Sequence, residues 1–307
     1  MVVHNRIVLE QYYSRLIALE RRSPLTVETY RFEMHRFFEW LEEASGTVET
    51  VDIQGLSRYL EKRRSTDGID SRSTAKGISA LRSFFRFTVD EHIRRDNPAA
   101  LLEPPRRGRR LPAVLKREAV DRMLTMVESG SPEGLRNRAI YELIYSAGLR
   151  VSEAVSLNVR DIMFSEGIAR IWGKGNKERL VVFGGEAAEW LKRYLDEARP
   201  LLVGSGNSPA LFICRTGTRL SRKGMWKNYA GTAGRAGVSS KLHTLRHSFA
   251  TELLAGGADL RSVQELLGHR DLGITQIYTH VDVSLLREKY RQYMPKLQEY
   301  GAHHERA

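Results

Sequence analysis

Apolar residues along the first part of the chain recur with a helical period. In SPLTVETYRFEMHRFFEWLEE, Val27, Tyr30, Met34, Phe37, Phe38 and Leu41 follow at three- and four-residue steps, which lays them on one helix face. Ser23 followed by Pro24 marks the start, a cap oxygen and then a residue that needs no N–H. SRSTAKGISALRSFFRFTVDEH repeats the pattern, with Ile78, Leu81, Phe85 and Val89 as the apolar stripe and Arg72, Lys76, Arg82 and Arg86 on the other faces. Those cations read first as a solvated helix face. KREAVDRMLTMV and LRNRAIYELIYSAGLRVSEAVSL continue in helical period. The period then shortens. Two largely apolar runs, 168–172 and 180–183, flank GKGNK and predict a hairpin around a glycine-containing turn. Helical patterns resume at about 186–199 and 222–236, and from about 244 to the end.

Between the two helical stretches lies DNPAALLEPPRRGRRLP, which holds Pro98, Pro104, Pro105 and Pro112 and four arginines, Arg106, Arg107, Arg109 and Arg110. Proline blocks helix continuation and stiffens a chain, so this is the best domain boundary. It is equally the composition of an ordinary linker and of a strap laid across a phosphate backbone. The expected organisation is 1–96, a small helical domain; 97–112, a linker; and 113–307, a larger domain. The expected fold class is mainly α, with an all-helical first domain and a mainly helical second domain that carries a small antiparallel sheet.

Length agrees with two domains: 307 residues, 41% of them apolar. The formal net charge of +12 favours a polyanionic partner, because Lys and Arg displace condensed counterions from phosphates. An acidic membrane surface is the other polyanion, but the sequence offers no basic anchor helix. The start MVVHNRIVLE lacks a signal-peptide core, and Val2 stands where N-terminal acylation requires glycine. The expectation is a cytoplasmic protein with no membrane association. Cys214 is the only cysteine; in the apolar run ALFIC it is expected to be a buried strand residue.

Four stretches of the second part carry polar groups that local structure does not require: AGLRVSE with Arg150 and Glu153, WGKGNKER with Lys174, LHTLRHSFAT with His243, Arg246 and His247, and GHRDLGITQIYTH with His269 and Tyr278. Each has a plain alternative, such as a helix-surface cation or the exposed tip of a hairpin. GKG lacks the remainder of a phosphate-loop pattern and lies between strands, so it does not predict a nucleotide site. His243 and His247 have the spacing of two zinc ligands, but Thr244 replaces the glutamate of H-E-x-x-H and Arg246 lies between them. No metal and no cofactor is expected. As a set, the residues suit one substrate. Two arginines can fork onto the oxygens of a phosphodiester. Two histidines can move protons near neutral pH. A lysine can reach a leaving oxygen, and a tyrosine can attack phosphorus if its high pKa is overcome.

AGLRVSE, GKGNKER, HTLRHSFATELLAGGADLRSVQELLGH and TQIYTHV, in this order and spacing, resemble the motifs of the tyrosine recombinase (phage integrase) family, specifically the bacterial Xer-type site-specific recombinases. The likeness extends to the N-terminal helices and the NPA linker, which look like that family's core-binding domain, with its catalytic domain following from about residue 112. It implies that Tyr278 is a nucleophile forming a 3′-phosphotyrosyl link and freeing a 5′-hydroxyl, that Arg150 and Arg246 clamp the phosphate, and that His243 assists proton movement at the tyrosine. It further implies that Lys174 protonates the leaving oxygen, that His269 contacts the phosphate and that Glu153 supports the first arginine. His247 and His280 lie beside these motifs. The implied partners are double-stranded DNA bearing a specific site, a homo- or hetero-tetramer of recombinases on two sites, and a chromosome-segregation DNA translocase. The implied role is chromosome-dimer resolution in cell division. Integration or transposition of a mobile element, type IB topoisomerase-like strand passage, an inert DNA-binding module and a metal-dependent nuclease are the competing readings.

Three features depart from the family pattern. Glu252 stands where many relatives have histidine, LGIT precedes QIYTH where a Ser/Thr-rich stretch is common, and the tail reads YRQYMPK. None falls on an implied catalytic position. The tail SLLREKYRQYMPKLQEY is amphipathic through Leu285, Leu286, Tyr290, Tyr293 and Met294. Such a helix docks on its own core in most domains; in this family it resembles a segment passed to a neighbouring protomer.

Overall fold

The computed structural model describes residues 3–105, 114–173, 178–267 and 280–294, with the side chains of 3–5 and 280–283 outside that description. The chain divides into two compact units, Met1–Arg110 and Leu111–Ala307.

The first unit holds α1 (Val3–Ala18), α2 (Pro24–Glu43), α3 (Ile53–Ser65) and α4 (Ser71–Asp90). Ser23, Asp52 and Asp70 each present a side-chain oxygen to a backbone N–H of the first turn of the helix that follows, the usual means of satisfying orphan donors. The stripes of α2 and α4 meet in an aromatic core. Phe37, Phe38, Phe84 and Phe85 are fully buried and cross edge to face, with Tyr59 of α3 against Phe37, an arrangement the ring quadrupole favours. Of the four cations expected on the solvated faces of α4, Arg72, Lys76 and Arg86 are exposed. Arg82 is turned inward instead. Its guanidinium donates to the carbonyls of Ala99 (3.2 Å), Ala100 (3.3 Å) and Leu102, fastening the segment after the helices so that Ala99 and Leu102 complete the core.

The second unit is built around α6 (Pro132–Ala147), which is buried on nearly every side. Around it stand α5 (Arg117–Thr125), α7 (Val151–Ser156), α8 (Gly185–Arg193), α9 (Arg199–Val203), α10 (Arg222–Arg235), α11 (Leu242–Ala255), α12 (Leu260–Leu266) and α13 (His280–Tyr293). The predicted hairpin is present as β2 (Ile168–Trp172) and β3 (Glu178–Val182), antiparallel with Ile171 opposite Arg179, and a short β1 (Ile162–Met163) extends it to three strands. The mainly helical class with one small antiparallel sheet is therefore the observed one.

Two local expectations are corrected. The helical pattern from 244 onward is not continuous: α11 stops at Gly256 and Gly257, the latter at φ +88, before α12 begins. The stretch 186–199 is helical as expected, by way of a π-turn at Tyr194–Ala198. Cys214 is neither fully buried nor in a strand. It sits in a turn just after the isolated bridge between Ile213 and Arg219, with its Sγ 3.1 Å from the hydroxyls of both Thr216 and Thr218. Burial tends to raise its thiol pKa, but those hydroxyls and the adjacent backbone outweigh it and bring the value down to about 7. No described helix is long and apolar enough to cross a membrane.

Candidate active site

The site begins where α6 ends. Gly148 takes the left-handed conformation at φ +58, and a Cβ there would lie 2.5 Å from Phe249 and 2.7 Å from Leu267. Only glycine combines that backbone angle with that approach. The reversal delivers Arg150 to the start of α7 and leaves the Gly148 carbonyl facing α11, where the Arg246 guanidinium donates to it. A second nitrogen of Arg246 reaches the carbonyl of Leu267 at 3.3 Å. Arg246 is thus fixed by backbone oxygens and almost completely buried.

Glu153, one turn into α7, is the hub. Its Oε2 accepts from the Arg150 backbone N–H and its Oε1 from Arg150 Nη1, both at 2.8 Å. Arg179, from β3, brings Nη2 to 2.8 Å from Oε2, and Arg246 Nη1 lies 4.0 Å from the same oxygen. Burial would raise the Glu153 carboxyl pKa, but Arg179 and Arg150 outweigh it and hold it below the usual carboxylate range. Arg246 is pushed down to about 10, by burial first and by Arg150 second, and so stays cationic at neutral pH.

His243 projects from the first turn of α11. Its ring packs edge to face on His247, with centroids 4.5 Å apart. One edge of His243 is exposed, yet partial desolvation is the main reason its pKa lies below the usual histidine value, followed by the charges on His247, Arg246 and Arg150. A neutral imidazole beside two guanidiniums can accept a proton while the guanidiniums hold an anion. Among the described residues no group of three or more His, Cys, Asp or Glu is placed to hold a metal ion.

Two of the residues singled out from sequence, Arg150 and Arg246, therefore meet at the carboxylate of a third, Glu153, and His243 feels the charge of both arginines. Lys174, His269 and Tyr278 lie outside the described residues, and so does the side chain of His280. Sequence reasoning passed over Arg179. The signal was available: in RLVVF, Arg179 shares its strand face with Val181 and Phe183, both buried, and an arginine on an inward face calls for a buried partner. Glu252 accepts a hydrogen bond from the buried Tyr145 hydroxyl, so this departure from the family pattern is structural and faces α6.

The site lies within residues 113–284, which match the model of the phage integrase family; residues 9–92 match the family's N-terminal SAM-like domain. The chain is 37% identical over 296 residues to a tyrosine recombinase XerD of Oceanobacillus iheyensis, covering 94% of this chain and 98% of that protein. It is 41% identical over 297 residues to a XerD of Xanthomonas campestris, covering 94% and 92%. Among solved structures, a XerH site-specific recombinase bound to palindromic difH substrate in a post-cleavage complex superposes with TM-score 0.66 at 26% identity, covering 87% of this chain and 79% of that one. The chain belongs to the phage integrase family and, within it, to the Xer-type tyrosine recombinases.

Proposed function

We propose that this site-specific recombinase breaks and rejoins double-stranded DNA by transesterification, with Tyr278 attacking the scissile phosphate. Arg150 and Arg246 bind the non-bridging oxygens and stabilise the charge of the pentacoordinate phosphorus. His243 takes the phenolic proton, Lys174 protonates the departing 5′-oxygen, and His269 completes the set of phosphate donors. One ester is exchanged for another, so the bond energy is kept in the phosphotyrosyl link and no nucleotide is consumed. The observation that carries this reading is the convergence of two guanidiniums on the buried Glu153, beside an imidazole whose pKa is depressed. The XerH complex on difH, at 26% identity over most of the chain, supports a DNA recombination site as the partner.

The helical domain 1–96 acts as a DNA-gripping domain, with the exposed cations of α4 toward the backbone, and residues 97–112 link it to the catalytic domain 113–307. The protein works in the cytoplasm, as a tetramer of recombinases on two sites, in chromosome-dimer resolution, and a DNA translocase of chromosome segregation activates it.

The decisive experiment is Tyr278→Phe. Covalent protein–DNA adducts on nicked duplexes should vanish while binding persists, and wild-type cleavage should continue in excess EDTA. Adducts formed by the phenylalanine variant would refute the assignment.

A further inference from the structure

Arg179 is a buried guanidinium with an unusual environment. It is 8% exposed. Nη2 makes an ion pair with Glu153, but its approach is too oblique for a hydrogen bond, and Nε has no hydrogen-bond partner among the described residues. Both of these nitrogens are shielded from the surface. Yet Arg179 sits on the strand that leaves the hairpin turn, against the one carboxylate that both Arg150 and Arg246 face.

The charges explain what it does there. Glu153 is needed to orient Arg150, since it takes both the backbone N–H and Nη1. Its negative charge also offsets half of what the two clamp arginines offer an anion. Arg179 restores that half. With three guanidiniums around one ionised carboxylate, the site keeps a surplus of two positive charges while the orienting carboxylate stays in place. The two unaligned donors fit this role, because Arg179 is placed for its charge on Glu153 and not for a directed bond.

We infer that Arg179 is a positioning residue for DNA cleavage: it neutralises and holds Glu153, so that Arg150 is oriented without cancelling the clamp's charge for the phosphate. This rests on the phosphodiester reading of the site given above.

The test uses the full-length protein and a randomised library of nicked duplexes, followed by the sequence that the wild type enriches as covalent adduct. Single-turnover adduct formation and DNA affinity are measured separately. Arg179→Gln should slow adduct formation about 100-fold, the scale of a lost electrostatic donor. Affinity and its salt dependence should change little, because Arg179 is buried and its Nη2 faces Glu153. Arg179→Lys should recover most of the rate. Adding Glu153→Gln to Arg179→Gln restores the surplus charge and should speed the reaction relative to Arg179→Gln alone. A merely structural arginine would give additive losses, and that result, or full activity of Arg179→Gln, overturns the proposal. If Arg179→Gln does not fold, Arg179→Lys and the neutral Gln–Gln pair carry the test, and a 100-fold loss in both refutes it. Absence of any wild-type adduct, or adducts with Tyr278→Phe, would instead refute the phosphodiester reading and this inference with it.

Discussion

The hydroxyl of Tyr290, in the last described helix, donates to the carbonyl of Ser146 at 3.0 Å and lies 2.9 Å from the Ser146 Oγ. The same Oγ accepts from the backbone N–H of Gly184 at 2.6 Å. One serine near the end of α6 thus ties the start of α8 and the helix that follows Tyr278 in sequence to the segment leading to Arg150. In this structure α13 docks on its own core. Tyr290→Phe leaves the Ser146 carbonyl without this donor, at a cost of about 1–3 kcal/mol. Thermal unfolding would register it, and pairing with Ser146→Ala should give less than the sum of the two losses.

Gly148 tests the link between backbone geometry and the clamp. Gly148→Ala places a methyl group against Phe249 and Leu267 at a left-handed position. The expected loss is about 1–3 kcal/mol of stability. Because the Gly148 carbonyl holds Arg246, covalent adduct formation should fall more than the change in folded population explains. Unfolding curves set beside single-turnover cleavage separate the two effects.

Glu142 makes stability depend on pH. It is buried within α6, with Arg138 Nη2 2.7 Å away. Burial, reinforced by Glu186, pushes its carboxyl up to about 8 in spite of Arg138. The folded state therefore binds this proton more tightly than the unfolded chain. The corresponding stability is fully present below the ordinary value of 4.5 and is lost as pH rises through about 8, by at most about 1.4 kcal/mol per pH unit. Denaturant titrations across that window should show the decline, and Glu142→Gln should flatten it.

In the proposed mechanism His243 sets the acid limb of the reaction. Its depressed pKa keeps the imidazole neutral below the usual histidine value of 6.5, so adduct formation should persist to lower pH than an unperturbed base would allow. His243→Ala should slow cleavage by about 100-fold or more, the usual contribution of a positioned base. A pH–rate profile that does not change in the variant would exclude His243 as the proton acceptor.

Much of this was legible in the sequence. The stripe of α2, its Ser23–Pro24 start, the stripe of α4 and the β2–β3 hairpin are local patterns, because side-chain period and capping act within a few residues. Arg82 and Cys214 were not read correctly. An arginine on a polar helix face looks the same whether it meets water or the carbonyls of a later segment, and ALFIC has the apolar run of a strand without its pairing partner. Gly256 and Gly257 did offer a stop signal that the surrounding periodicity obscured.

By itself the sequence determined the helical class, the family and the residue types able to handle a phosphodiester, since motif order and spacing are properties of the chain. Tertiary structure decided which charges share a carboxylate. Arg150, Arg179 and Arg246 come from a helix start, a strand and a second helix, and a Coulomb interaction depends on distances through space that sequence separation does not encode. The burial that lowers His243 and raises Glu142 is likewise a property of the packed whole, because desolvation is imposed by every element that closes around a group.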